Sequence, residues 1–175
     1  MVRPRQWQQQ LIQLLRRRLD GDNKASQDLL VFAGPGAGKT LGALLAFQAM
    51  QREGRLQRFL VFCHRTSILE QWQKAASRLG LKLMPWPGCG EDAALADGLL
   101  LTYQSAGRQP KHLEEALRAW PARGVLAIAD EAHHLGVDPD DPTTAVWGQT
   151  FLELTAPMCL RLGLTGTPFR ADNLG

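Results

Sequence analysis

One stretch constrains the fold more than any other. The apolar run Leu29 to Ala33 leads straight into the glycine-rich AGPGAGKT, Ala33 to Thr40, and that into the apolar LGALLAF. Strand, glycine-rich turn and helix in immediate succession let backbone N–H groups converge on an anion at a helix amino end, where the helix dipole also favours it. In such a loop Gly34, Gly36 and Gly38, with Ala33 before them and Pro35 and Ala37 between them, allow the backbone to approach phosphate oxygens. Lys39 then bridges the β and γ phosphates and the Thr40 hydroxyl ligates Mg²⁺. Ala33 fills the slot where the strict pattern has glycine. The bland alternative is a turn that happens to precede Lys-Thr, and the flanking strand and helix argue against it.

The rest of the chain alternates in the same way. Short apolar runs at Phe59 to Cys63, Gly98 to Thr102, Val125 to Ala129 and Cys159 to Leu164 read as further strands. Helical patterns fall near Lys39 to Gln51, Ser67 to Leu79, Lys111 to Trp120 and Thr143 to Leu154. Another helix, about Trp7 to Leu19, precedes the first strand and ends at Asp20-Gly21-Asp22-Asn23. Strands that are apolar throughout imply a sheet covered on both faces. With helices between them they predict parallel βαβ units and a three-layer α/β domain. Ligands in such sheets sit at the carboxyl ends of the strands.

A second acidic motif stands in that position. Val125 to Ala129 runs into Asp130-Glu131-Ala132-His133. A carboxylate at the tip of an apolar strand can hold Mg²⁺, which is the role expected of Asp130. Its neighbour Glu131 can take a proton from an attacking water. An acid-rich surface turn is the plainer alternative, and it fails to explain why these acids follow a buried-looking run. His133 and His134 invite a metal reading, but no other His or Cys has zinc spacing. His133 is expected to link the ATP site to its surroundings by hydrogen bonds.

AGPGAGKT followed by DEAH resembles the superfamily two DEAD/DEAH-type helicases, specifically their amino-terminal RecA-like domain. The resemblance implies a three-layer RecA-like P-loop fold with a mostly parallel sheet, and an ATPase that uses ATP and Mg²⁺ to move on or unwind nucleic acid. Lys39, Asp130 and Glu131 then form the catalytic set. Four more segments follow the family's order. Arg5-Gln6-Trp7-Gln8 is similar to its adenine-reading segment, with Arg5 and Gln8 at the nucleotide. Arg3-Pro4-Arg5-Gln6 also fits, but Gln8 follows an aromatic and begins the apolar face Leu11, Ile12, Leu15. FCHRTSILEQW looks like motif Ia, with His64, Arg65 and Thr66 toward a phosphodiester backbone. There His64 and Arg65 stand where Pro-Thr is usual. Leu69 and Trp72, at helical spacing, read as core rather than as base-stacking platforms. LLLTYQS places Thr102 and Gln104 at a second backbone-contacting loop. LTGTP resembles motif III, in which Thr165 and Thr167 relay between the acidic box and a second motor domain.

The TGTPFR ending and the loose motif Ia resemble the group of restriction-enzyme translocating subunits and DNA-repair helicases, which favours DNA over RNA. The chain ends soon after this motif, so the resemblance implies that a second RecA-like domain, in the parent protein or a partner chain, completes the ATPase, and that this domain alone binds ATP weakly and turns it over very slowly. A small-molecule P-loop kinase or nucleotide-gated switch, and an ATP-indifferent nucleic-acid-binding module, remain as other classes. Composition agrees without deciding: net charge is +3 over 175 residues with 45% apolar residues, enough for one core. No apolar stretch is long enough for a bilayer, and the start MVRPRQWQQQ does not look like a secretory signal. Cys63, Cys89 and Cys159 form no CxxC pair, so a reducing, cytoplasmic setting is expected.

Overall fold

The computed structural model describes residues 5–20, 27–32, 38–121, 124–132 and 143–165. Among them a six-stranded sheet runs β1 (Asp28–Phe32), β2 (Arg58–Cys63), β3 (Leu83–Pro85), β4 (Gly98–Thr102), β5 (Val125–Ala129) and β6 (Leu160–Thr165). Their order across the sheet is β1-β6-β5-β2-β4-β3, and every ladder is parallel. The helices are α1 (Gln6–Leu19), α2 (Lys39–Arg52), α3 (Leu69–Arg78), α4 (Tyr103–Arg108), α5 (Pro110–Leu117) and α6 (Thr143–Thr155). None is long and apolar enough to cross a membrane.

The period of two along the central strands divides the core into two halves. From β2, Phe59, Val61 and Cys63 join Leu126 and Ile128 of β5 in a cluster with Leu44 and Phe47 of α2 and Trp72 of α3. The intervening Leu60 and Phe62 join Val125, Ala127 and Ala129 in the opposite cluster, with Tyr103 of α4, Leu113 of α5 and Phe151 of α6. One sheet therefore separates two dry layers, the three-layer arrangement expected of wholly apolar strands. In β2, β4 and β5 every residue but Arg58 is buried.

β1 departs from that rule. It was expected to be covered on both faces, yet it lies at the sheet edge and leaves Leu30 40% and Phe32 52% exposed. The apolar run reports strand propensity here, not two-sided burial. Three elements escaped sequence reading. β3 is three residues ending in a proline, which pairs only as an edge strand. α4 is a single short helix started by the Thr102 side chain, which accepts from the Ser105 N–H at 3.1 Å. The third is a 3₁₀ segment, Gly90–Leu95. All three are too short to show a period.

Close packing of α1 on α2 depends on one glycine. A Cβ at Gly42 would lie 2.6 Å from the Trp7 ring and 3.0 Å from Gln8 Cγ. The missing side chain brings the start of α1 against the first turns of α2.

Candidate functional site

The carboxyl rim of the sheet gathers the site residues described here. Gly38, at the end of the loop, has φ +74°, a left-handed conformation that glycine adopts at no steric cost. α2 starts at the next residue, with the Gly42 N–H donating to the Gly38 carbonyl at 2.8 Å. Gln8 is buried, and its amide is used at both ends. Oε1 accepts from the Arg5 N–H at 2.7 Å, and Nε2 donates to the Gly38 carbonyl at 3.0 Å. Gln6, the competing register, is exposed in the first turn of α1. Ala33, Gly34, Pro35, Gly36, Ala37, His133 and Thr167 lie outside the described residues.

Lys39 meets both acids. Its Nζ lies 3.6 Å from Asp130 Oδ1 and pairs with Glu131 Oε1. Asp130 is almost completely buried at the end of β5, and each of its parts is held. Its N–H donates to the Phe62 carbonyl at 2.9 Å, and its carbonyl accepts from Tyr103 Oη at 3.1 Å. Oδ1 accepts the Glu131 N–H at 2.9 Å, and Oδ2 accepts the Trp72 indole N–H at 2.8 Å. Burial pushes the Asp130 carboxyl above its ordinary range, while the Trp72 hydrogen bond and the Lys39 ammonium pull it back. Glu131 has φ +51°, unusual for a residue with a Cβ, as the chain turns sharply out of β5. That turn leaves Asp130 in the core while Glu131 keeps some contact with solvent.

Thr40 is buried in the first turn of α2, and its Oγ1 accepts from Gln71 Nε2 of α3 at 3.4 Å. A hydroxyl and a carboxylate are the hard oxygen donors that Mg²⁺ prefers, and a cation beside Asp130 would offset the cost of burying its charge. The donor set fits the metal. Cys63, at the end of β2, is no candidate nucleophile: burial and the nearby Asp130 charge push its thiol far up.

A second cleft, about 430 Å³, opens beyond the ends of β2 and β4. His64, Arg65, Thr66, Ser67, Thr102, Gln104 and Arg108 line it. The fold therefore brings His64, Arg65, Thr66, Thr102 and Gln104, expected at a nucleic-acid backbone, together with Ser67 at the same helix start, and adds Arg108. Arg65, Thr66, Ser67 and Arg108 are exposed, and Gln104 Nε2 donates to the His64 carbonyl at 3.1 Å, tying the two loops together. Thr165 is buried at the end of β6, in register with Phe32 of β1.

Sequence reasoning missed two contributors. Trp72 is core, as its spacing predicts, but its indole N–H also grips Asp130. Tyr103 looks unremarkable in sequence yet holds the Asp130 carbonyl from the other layer. The available signal was chemical, because a buried Trp or Tyr needs a partner for its polar end.

Comparison with known proteins gives the family and the fold. The family model described as "Type III restriction enzyme, res subunit" matches residues 1–170. An uncharacterized protein of Mycobacterium tuberculosis is 32% identical over 149 residues, covering 84% of this chain and 23% of its own length. One from Mycobacterium leprae is 30% identical over 149 residues, covering 84% and 24%. The chain thus spans about a quarter of the length of these curated relatives. Among solved structures, the Sulfolobus solfataricus SWI2/SNF2 ATPase core in complex with dsDNA superposes with TM-score 0.66 at 22% identity, over 99% of this chain and 34% of that one. A nuclease-deletion mutant of the Type ISP restriction-modification enzyme LlaGI, in complex with a DNA substrate mimic, gives 0.65 at 15%, over 95% and 18%. At these identities the two structures establish the RecA-like fold alone.

Proposed function

Because the chain belongs to the family of type III restriction enzyme res subunits, we propose that it is the first ATP-binding motor domain of a superfamily two translocase or helicase, coupling ATP hydrolysis to movement along DNA. One observation carries this reading. The phosphate-loop lysine and two adjacent acids, from α2 and the end of β5, converge on one rim of a parallel sheet. In the proposed cycle Gly38 and the amino end of α2 receive the phosphates of ATP, with Arg5 and Gln8 toward the adenine. The phosphates draw the Lys39 ammonium away from the acids, which releases Glu131 to take a proton from water. Thr40 and Asp130 would hold Mg²⁺, which supplies charge neutralisation at the phosphates.

The seven-residue cleft past β2 and β4 suits a sugar-phosphate backbone, since hydroxyls and guanidinium groups bind phosphates without reading bases. The two solved structures compared above hold dsDNA and a DNA substrate mimic, which supports DNA as the polymer. A second RecA-like domain, in the same protein or a partner chain, is proposed to close over the ATP and contribute arginine, an effect worth about 10³–10⁵ in rate in phosphoryl transfer. Thr165 and Thr167 would connect the two.

Lys39→Ala tests the reading. Calorimetric titration should show nucleotide binding lost in the variant, and affinity equal to the wild type would discard the phosphate cradle.

A further inference from the structure

The side chain that fixes Asp130 lies outside the glycine-rich loop and the acidic motif, at the far end of FCHRTSILEQW. Asp130 Oδ1 is engaged by the Glu131 N–H and faces Lys39, and Oδ2 accepts the Trp72 indole N–H. Trp72 is completely buried, wedged in the core layer that includes α2 and β5. The torsion that turns a carboxylate about its own axis is soft, so without outside contacts its oxygens wander. A rigid ring with one N–H, locked by packing, removes that freedom, and a donor to a charged acceptor does so strongly. The residue before it reinforces the point. Gln71 reaches Thr40, so two successive residues of α3 touch both oxygen donors proposed for the metal.

We propose that Trp72 is a positioning residue for the metal site: its indole N–H sets the orientation of the Asp130 carboxylate, so that α3 belongs to the nucleotide site as much as to the strand-facing cleft. This rests on Asp130 being a metal ligand. The competing account is a core tryptophan that satisfies its N–H on the nearest acceptor with no effect on function. The two differ in what the metal senses. Partners one shell out from a metal typically change its affinity by about 10- to 100-fold. α3 follows directly from the 3₁₀ turn Thr66–Ile68, and Arg65 and Thr66 line the cleft. One continuous helical segment thus runs from the cleft to the two donors proposed for the metal.

Trp72→Phe keeps the apolar ring and deletes the donor. With a non-hydrolysable ATP analogue bound, Mn²⁺ affinity read by electron paramagnetic resonance should fall by about 10-fold or more. Analogue affinity measured in EDTA should stay unchanged. Mn²⁺ affinity within twofold of wild type overturns the proposal. Should the variant fail to fold, the wild-type protein labelled with ¹⁵N-tryptophan still exposes the proposal to refutation. Adding Mg²⁺ to the analogue complex should move the Trp72 indole resonance and leave Trp86 and Trp120, in the opposite core layer, in place. A Trp72 signal that stays still while metal binds overturns the proposal. Wild-type protein that binds the analogue but no Mn²⁺ would instead overturn the metal site itself, and this inference with it.

Discussion

Asp130 and Arg65 both stand just past the carboxyl end of a strand in the same sheet, β5 and β2, which are neighbours. Their surroundings differ in kind. Asp130 is 2% exposed and is held at its N–H, its carbonyl and both carboxylate oxygens, with Trp72 reaching it from one core layer and Tyr103 from the other. Arg65 is exposed in an open cleft whose lining is largely hydroxyls and cations. The contrast suits the two tasks proposed for these residues. Chemistry on a phosphate requires groups fixed in advance to a fraction of an ångström, because misplacement costs rate. A grip on a moving polymer must form and release without selecting sequence, which suits long, solvated side chains.

The widest gap between the two ends should appear at Glu131. In the protein with its second motor domain present, Glu131→Gln removes the proton acceptor and preserves shape, so ATP should still bind while turnover falls by about 10²–10⁴-fold, the usual worth of general-base catalysis. Filter binding with labelled ATP alongside phosphate release checks both halves. Turnover within a few-fold of wild type would remove Glu131 as the base, and with it the argument that this end is built for chemistry.

Packing behind the fixed end should come next in size. Gly42→Ala forces a methyl into the Trp7 ring and Gln8, and overpacking of that kind costs about 1–3 kcal/mol. The same change in α4 should have the opposite sign. A Cβ at Gly107 meets nothing within 4 Å, and alanine is favoured over glycine in a helix by about 0.5–1 kcal/mol. Urea unfolding of the two variants should therefore bracket the wild type. Equal shifts would mean that α1 yields easily, and that the Gln8–Gly38 contact is not held by packing.

A smaller effect is expected where the two layers meet. Tyr103→Phe deletes one buried hydrogen bond to the Asp130 carbonyl, worth about 0.5–1.5 kcal/mol. The ring itself stays packed against Phe62 and Phe151. Chemical denaturation should show the loss with no change in cooperativity. A neutral result would leave Trp72 as the more important of the two restraints on Asp130.

The fixed and open ends were unequally legible in the sequence. Gly98 to Thr102 and Val125 to Ala129 were bounded as the structure has them, because central parallel strands are apolar runs with sharp edges. Lys39, Asp130 and Glu131 were placed on one rim because a parallel sheet puts its strand ends there. The hydrogen bonds that orient Asp130 were not readable. Trp72 precedes it by 58 positions and Tyr103 by 27, and no local period reports a contact made across the core. β1 shows the reverse error, since an apolar edge strand looks in sequence like a central one.

Arg65 provides the finest test of the open end. If it contacts backbone phosphate, Arg65→Ala should weaken binding to single-stranded oligonucleotides of every sequence by a similar modest factor. The slope of log affinity against log salt should become shallower by about one unit. Gln104 ties this loop to the β4 side of the cleft through the His64 carbonyl, so the loop should keep its shape and thermal stability should stay unchanged. Ser67 and Arg108 line the same cleft, so Arg108→Ala should produce a second loss of comparable slope, additive with the first. A sequence-dependent loss would mean that the cleft reads bases. An unchanged slope in both variants would show that the polymer lies elsewhere on the rim, and the division of labour between β2 and β5 would have to be redrawn.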